Sequence, residues 1–223
     1  MRSAADGAES VQLTSPPFQA GTPHWSPDGT QIAFSGGPAG RPGRVYVVPS
    51  GGGTPRQVTN GEGGQGGDWD PSWSPDGTSL VFADVFATGA LHVVDLRTYR
   101  VSALSGSEGM WSPRWSPDGR SIAGLIRENS LVLYDIGTRV QSKVFDPPTG
   151  YPSWTPDGQY LFLASGGWFF RVRARDRKVE RLATYKGIPR VGWGWLAATS
   201  NDSLMIARDA SVEAIYALDW ELP

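Results

Sequence analysis

The stretch Trp73-Ser74-Pro75-Asp76-Gly77-Thr78-Ser79-Leu80-Val81-Phe82 sets the pattern for this chain of 223 residues. Closely similar words occur at 24–34, 114–123 and 153–162, the last with Thr155 in place of serine. The steps between their tryptophans are 48, 42 and 39 residues, from Trp25, Trp73, Trp115 and Trp154. A period of this length is typical of an array of supersecondary units.

Each unit predicts four short strands. In Ser-Pro-Asp-Gly, proline presets φ, aspartate can bond its own backbone, and glycine allows a positive φ, so the word predicts a tight turn. The tryptophan before the turn suits a buried position between two sheets. A β-forming run follows the turn, and two more close each unit; in the second unit these are 91–94 and 101–104. Four antiparallel strands per period of about 40 residues are typical of a propeller blade.

The two ends of the chain suggest how such a ring closes. A fifth unit at 191–219 has three predicted strands, with Thr199-Ser200-Asn201-Asp202 in place of the turn word. The segment 10–14 resembles the fourth strand at 56–59. The sequence therefore predicts an all-β, single-domain five-bladed propeller over 1–223, whose last blade is closed by the N-terminal strand. The predicted blades are about 20–60, 68–105, 110–146, 150–184, and 188–221 with 9–14. The alternative is a piece of a longer propeller.

Composition narrows the possible functions. The formal charge of −2 gives no field that would attract nucleic acid or an anionic membrane. Without cysteine there is no disulfide, thiolate nucleophile or zinc–thiolate site. No run of 18 apolar residues predicts a membrane span, and the first residues lack the apolar stretch of a signal peptide. No motif predicts a cofactor.

The repeated Trp-Ser-Pro-Asp-Gly-x-x-Ile-Ala-Phe word resembles the repeat of TolB-type β-propellers, relatives of the WD-repeat group. The closing segment 215–221 is similar to the end of the propeller in large bacterial sensor proteins, where a serine/threonine kinase or a DNA-binding domain precedes it. The resemblance implies a bacterial sensing or scaffold module in a periplasmic or extracytoplasmic location. It also implies a fragment or relative of a larger multidomain protein. A blade of this kind serves many roles, so the resemblance names no ligand.

Strand alternation puts the Ser-Pro-Asp-Gly turns on one side of the ring and the variable connections between blades on the other. Variable loops on a rigid scaffold are where binding usually resides, and aromatic and arginine side chains are its usual anchors. The predicted ligand-binding residues are therefore Phe18, His24, Asp68, Trp69, Asp70, Trp111, Arg114, Tyr151, Tyr185 and Arg190. The predicted structural turn residues are Asp28, Gly29, Asp76, Gly77, Asp118, Gly119, Asp157 and Gly158.

Structural alternatives stand beside these assignments. Trp69 and Trp111 could equally be lids on the hydrophobic core. His24 occupies a repeat position that favours a surface or channel residue, and with two histidines in the chain a histidine-based metal site is not predicted. Asp68 and Asp70 lie outside the repeat and could bind a cation or a basic peptide. A glycosidase would need a second acid across the channel, for which the loops offer only Glu62 and Glu108.

The sequence thus predicts a non-catalytic recognition module that holds a peptide or protein segment on the variable-loop face or at the mouth of the channel. One alternative is the accessory propeller of a multidomain enzyme such as a peptidase or a serine/threonine kinase. A glycoside hydrolase that uses channel acids is the third.

Overall fold

The computed structural model describes residues 12–15, 17–61, 67–84 and 89–186, together with three strands between residues 196 and 218. In this part of the chain the regular elements are β-strands, apart from one 3₁₀ turn at Arg127–Asn129. The all-β prediction is confirmed. A long apolar helix of the kind that crosses a bilayer is not found among these residues.

Four antiparallel sheets of four strands follow one another along the chain, and strands adjacent in sequence pair with each other. This meander is the blade of a β-propeller. The first two blades consist of β1 (Phe18–Trp25), β2 (Gln31–Pro38), β3 (Arg44–Pro49), β4 (Arg56–Gln57), β5 (Asp68–Trp73), β6 (Ser79–Asp84), β7 (His92–Asp95) and β8 (Val101–Ala103). The next two consist of β9 (Trp111–Trp115), β10 (Ser121–Ile126), β11 (Ser130–Asp135), β12 (Val140–Phe145), β13 (Ser153–Trp154), β14 (Tyr160–Ser165), β15 (Trp168–Arg173) and β16 (Val179–Thr184).

The number of complete blades differs from the prediction. Four blades have four strands, and a three-stranded sheet of β17 (Leu196–Ala198), β18 (Leu204–Ala207) and β19 (Ile215–Leu218) follows them. The prediction of five four-stranded blades is therefore wrong in number. Of the predicted closing strand, residues 9–11 lie outside the described part, and residues 12–14 form no strand. Leu13 instead packs against the apolar cluster of the first blade, where its side chain is half-buried.

The hydrophobic core lies between successive blades, because both faces of each middle strand are apolar. In β6, Leu80 and Phe82 pack toward the first blade, and Val81 and Ala83 pack toward the third. All four are buried. Burying a side chain such as Phe82 contributes roughly 1.5–3 kcal/mol. Sheets that stand side by side around an axis, as in a propeller, bury both of their faces in this way.

The repeat tryptophans join each blade to the one before it. The Trp73 indole Nε1–H donates to the carbonyl oxygen of His24 at 3.0 Å, and the Trp154 Nε1–H donates to that of Arg114 at 2.9 Å. In the third blade the backbone N–H of Trp115 donates to Ser72 Oγ at 3.0 Å. Each contact joins a repeat tryptophan to the residue just before the tryptophan of the preceding blade.

Trp25 breaks this rule. Its side chain is 52% exposed, so the expectation of a buried ring is wrong at this position.

The Ser-Pro-Asp-Gly words form the predicted turns. In the third blade, Asp118 Oδ1 accepts from Ser116 Oγ at 2.6 Å and from the backbone N–H of Arg120 at 3.0 Å. The same aspartate contacts recur in the other three blades. Gly119 has a φ of 75°. A Cβ placed on it would lie 3.2 Å from Pro75 Cγ, so successive turns pack against one another around the ring.

Gly119→Ala should destabilise the fold more than Gly29→Ala. Both residues have positive φ, 75° and 69°, which costs an L-residue about 1–2 kcal/mol. A Cβ on Gly29 meets nothing within 4 Å, whereas one on Gly119 presses on Pro75. The extra cost at Gly119 should be about 1 kcal/mol, typical of mild overpacking. Urea unfolding of the two variants measures the difference in the free energy of unfolding. Equal losses of stability would show that successive turns do not pack tightly against each other.

Candidate functional site

The first strand of three blades contains the same irregularity, a β-bulge. The strand pairing shifts register three residues before the tryptophan, and the residues there, Thr22, Asp70 and Ser112, have φ of 47°, 55° and 51°. These values lie in the left-handed region, which is uncommon for residues other than glycine. Such β-bulges re-aim side chains, and they recur near binding sites.

Side chains from the first three blades meet in what we call the channel network, made of His24, Asp70 and Arg114. Asp70 Oδ1 accepts from Arg114 Nη1 at 2.9 Å and lies 3.3 Å from His24 Nε2. Arg114 Nη1 also donates to the carbonyl oxygen of Pro113 at 2.7 Å. The guanidinium lies 5.8 Å from the ring centroid of Tyr151, which belongs to the fourth repeat.

The network is buried, and its electrostatics follow from that. Burial alone would raise the pKa of Asp70, but the guanidinium of Arg114 and the imidazole of His24 hold that pKa well below its usual range. Burial, with the nearby charge of Arg114, lowers the pKa of His24 below the 6.5 of a free imidazole. At neutral pH Asp70 is therefore anionic, Arg114 cationic and His24 neutral. The network has no net charge.

A cavity of about 340 Å³ opens beside the network on the side of the ring that carries the Ser-Pro-Asp-Gly turns. We call it the turn-face cavity. Its volume is at the small end of the range for ligand pockets, ~300–1,000 Å³. His24 belongs both to its lining and to the channel network. The lining consists of His24, Trp25, Pro27, Ser72, Trp73, Pro75, Trp115, Ser116 and Pro117.

Four of the predicted site residues lie together and a fifth touches them. His24, Asp70, Arg114 and Tyr151 form the network and its aromatic neighbour. The ring of Trp111 packs edge-on against Tyr151, with centroids 6.2 Å apart. The sequence placed these residues in one set without showing which of them would touch.

The other predicted site residues lie elsewhere. Phe18 packs against Tyr46 within the first blade, and Tyr185 packs against Phe169 in the fourth, each at 4.9 Å between ring centroids. The Trp69 ring lies beside Gly43, in the connection between β2 and β3. Arg190 lies outside the described residues.

Asp68 is enclosed despite its glycine-rich surroundings in the sequence. It is fully buried, its backbone N–H donates to the carbonyl oxygen of Gly43 at 2.9 Å, and its Oδ2 accepts from Thr59 Oγ1 at 2.6 Å. Burial raises the pKa of Asp68, against the opposing effect of Thr59 and Arg44. A carboxyl held in this way is shut off from any ligand outside.

The acids named for a glycosidase do not converge on the cavity in the described residues. The carboxylate of Asp70 is held by Arg114 and His24, and Glu108 is exposed, with Oε1 accepting from the backbone N–H of Gly106 at 2.9 Å. Glu62 lies outside the described part. Within that part no group of three or more histidine and acidic residues is arranged to hold a metal ion.

Sequence reasoning missed the lining of the turn-face cavity, which lies on the side of the Ser-Pro-Asp-Gly turns and not on the variable-loop face where ligand binding was expected. Its tryptophans and prolines belong to the repeat word and were interpreted as structural. The available signal was the position before each tryptophan, occupied by His24, Ser72, Arg114 and Ser153. This position varies within an otherwise constant word, and in three of the four blades it contributes to the cavity or the network.

Solved structures share this architecture. TolB from Acinetobacter baumannii superposes with a TM-score of 0.69 at 21% identity, over 92% of this chain and 55% of the TolB chain. The chain has the fold of a TolB-type β-propeller. At this identity the likeness concerns the fold, and the chain spans little more than half of the TolB chain. No protein-family model and no curated protein matches the sequence.

Enzymes share the fold as well. An oligogalacturonate lyase from Vibrio parahaemolyticus matches with a TM-score of 0.61 at 14% identity, over 98% of this chain and 81% of the lyase. A prolyl endopeptidase matches with a TM-score of 0.57 at 17% identity, over 91% of this chain and 34% of the peptidase. The fold therefore does not distinguish a binding module from an enzyme.

Removing the Arg114 guanidinium should lower the free energy of unfolding, because the Asp70 carboxylate is buried. Arg114→Met leaves that carboxylate without its cation, which typically costs about 3–5 kcal/mol of stability. Adding Asp70→Asn should restore part of this loss, because the uncompensated charge is then gone. Chemical denaturation of both variants gives the numbers.

Arg120→Met is the matched control, since Arg120 is exposed and should change stability by no more than about 0.5 kcal/mol. A loss below about 1 kcal/mol for Arg114→Met would mean that Asp70 does not depend on it.

The low pKa of His24 predicts a stability that falls on acidification. Above pH 6.5 the imidazole is neutral in both folded and unfolded chains. As pH falls below 6.5 the unfolded chain binds a proton that folded His24 does not, so the free energy of unfolding decreases. His24→Gln should remove this contribution, so its stability should fall less between pH 7 and pH 5. Urea titrations at both pH values test this, and an identical fall in the two proteins would contradict it.

Proposed function

We propose that this propeller is a non-catalytic recognition module that binds a short peptide or protein segment in the turn-face cavity. One observation supports this above the others: the cavity is walled by the rings of three tryptophans and three prolines. Concave, mostly apolar sites with a few polar groups are the usual form of a ligand site. Tryptophan is among the residues that most often anchor a partner.

The rigidity of the site supports the same function. Trp73 and Trp115 are fixed by hydrogen bonds to His24 and to the turn residue Gly119. His24 is in turn fixed against Asp70. Walls that are ordered before binding reduce the entropy lost when a ligand binds.

The chemistry of the channel favours binding over catalysis. A general acid or base must exchange protons near the working pH. Arg114 holds the pKa of Asp70 well below its usual range, so this carboxyl is ionised at the working pH and does not exchange protons there. Through its contact with Asp70, His24 is held in the cavity wall.

A second candidate is the accessory propeller of a larger enzyme, and the peptidase likeness favours it, because this chain matches only 34% of that enzyme. The two candidates differ in what the isolated chain does. A recognition module binds a peptide by itself, whereas an accessory propeller acts through its catalytic partner.

A random peptide library displayed on phage and selected against the immobilised chain tests the proposal. We expect a consensus sequence to be enriched, and we expect Trp25→Ala to reduce the capture of the enriched clones by at least tenfold without lowering Tm. Truncating a central aromatic anchor typically costs 2 kcal/mol or more in binding, which exceeds about tenfold.

The control is Tyr99→Ala. Tyr99 is another exposed aromatic, 42% exposed, in the turn between β7 and β8 and outside the cavity lining. No consensus, or a consensus equally well captured by the Trp25→Ala variant, would refute a binding site at this cavity.

A further inference from the structure

The outer part of the fourth blade carries a concentration of positive charge. Six of the chain's 20 lysines and arginines lie between residues 171 and 181, together with two of its 22 acidic residues. The whole chain, by contrast, has a net charge of −2. The six cations are Arg171, Arg173, Arg175, Arg177, Lys178 and Arg181, and the two acids are Asp176 and Glu180. This stretch of β15, its turn and β16 is therefore strongly basic in an otherwise acidic protein.

The two acids leave part of this charge uncompensated. Both pair with arginines of β15, at 2.7 Å for Glu180 and 3.0 Å for Asp176. Among the described residues no carboxylate lies within 4.0 Å of the guanidinium of Arg177 or of Arg181. Both of these side chains are exposed, and an arginine side chain is always protonated. They present two positive charges to whatever approaches the blade.

These two arginines lie on the side of the fourth blade that faces the third. Arg177, in the turn before β16, donates from Nη2 to Ser142 Oγ of β12 at 2.8 Å. Arg181 and Val179 pair with residues of β15 that belong to the core between the third and fourth blades. The Arg181 guanidinium lies 4.3 Å from the ring centroid of Trp168. Two held cations thus flank Val179, which is 41% exposed.

The backbone of β16 offers hydrogen bonds along the same edge. β16 (Val179–Thr184) is the last strand of its sheet, so in the described part of the chain one of its edges is unpaired. The N–H of Arg173 donates to the carbonyl oxygen of Lys178 at 2.9 Å. Hydrogen-bonded and non-hydrogen-bonded pairs alternate in an antiparallel ladder, so the N–H and C=O groups of Val179 and Arg181 point away from β15.

Length and charge distinguish this edge from the outer edges of the other three complete blades. β4 and β8 have two and three residues, too few for an extended ladder. β12 has six, but its one charged residue, Lys143, is paired with Asp146 at 2.7 Å. A second copy of β16 would place like charges opposite each other, which is destabilising, whereas a strand with carboxylates gains cross-strand ion pairs. The edge therefore suits an acidic strand and repels its own copy.

We propose that β16 binds an extended acidic segment of a partner protein, which adds to the fourth blade as a fifth strand. Backbone hydrogen bonds to Val179 and Arg181 supply affinity, and carboxylates beside Arg177 and Arg181 supply specificity, as in other cases of strand addition. None of these residues lines the turn-face cavity. The propeller thus has a second recognition surface, independent of the peptide-binding function proposed above.

The experiment uses the full chain and four fluorescein-labelled probes, with binding followed by fluorescence anisotropy at physiological ionic strength. Three probes are amidated octapeptides with alternating Glu-Val, Lys-Val or Glu-Pro residues, and the fourth is an eight-nucleotide oligo-dT. The Glu-Pro peptide has the charge of the Glu-Val peptide but lacks half of its backbone N–H groups. We expect the Glu-Val peptide to bind roughly tenfold more tightly than the Lys-Val peptide, and at least about threefold more tightly than the other two probes.

Two variants separate the ion pairs from strand pairing. Arg177→Gln combined with Arg181→Gln removes both cations and should weaken Glu-Val binding by about three- to tenfold. Val179→Pro removes an N–H that β15 does not use, so the blade keeps its ladder, and should weaken binding by a similar factor, about three- to tenfold. The matched control is Arg97→Gln with Arg100→Gln, two exposed arginines in the turn between β7 and β8, which should leave binding unchanged.

The proposal is wrong if the Lys-Val or Glu-Pro peptide binds as tightly as the Glu-Val peptide, or if the Arg177 and Arg181 double variant binds as well as its control. Unchanged binding by Val179→Pro would show charge attraction without strand addition and would also overturn it. Tighter binding of oligo-dT would identify a nucleic-acid surface instead. Trp25→Ala should not alter Glu-Val binding, so the failure of this proposal and that of the cavity proposal are distinguishable.

Discussion

A tryptophan indole requires apolar cover for its rings and an acceptor for its N–H, and the propeller depends on how the repeat meets both needs. Trp73 is covered by the first blade and donates to the carbonyl of His24 in that blade. Trp154 makes the same contact with Arg114. In these two blades the acceptor is the residue before the preceding tryptophan. In the third blade the Trp115 indole bonds to Gly119 in its own turn, and the backbone N–H of Trp115 makes the contact with Ser72 of the preceding blade. Side-by-side packing of the middle strands then buries both of their faces.

The candidate site is built from the same repeated words. Trp25, Trp73 and Trp115 all line the turn-face cavity, and Trp25 is the most exposed of the three, at 52%. One repeated word thus gives a structural residue in one blade and a surface residue in another. Function can arise in such an array without a special motif, because the neighbours of a position differ even where the position does not.

The sequence revealed the fold far better than the site. The Ser-Pro-Asp-Gly words predicted the turns at Asp118 and its equivalents because the whole interaction is local to five or six residues. The number of complete blades depends on pairing between distant segments, which a degenerate word at 199–202 does not determine. Asp70 and Asp68 looked alike in the sequence. A register shift with φ of 55° brings Asp70 to Arg114, whereas Asp68 bonds to Thr59 and is enclosed. No local sequence pattern distinguishes the surroundings of Asp70 from those of Asp68.

The buried network also explains how a cavity without charged lining residues can lie beside ionised groups. Burying one carboxylate next to an apolar site would leave an unpaired charge, which is strongly destabilising. Pairing Asp70 with Arg114 removes that penalty, and the remaining contact to His24 holds a residue of the cavity wall. Breaking the pair would therefore disturb the cavity even though neither charge lines it. His24 links stability to recognition, because its imidazole belongs both to the channel network and to the lining of the turn-face cavity.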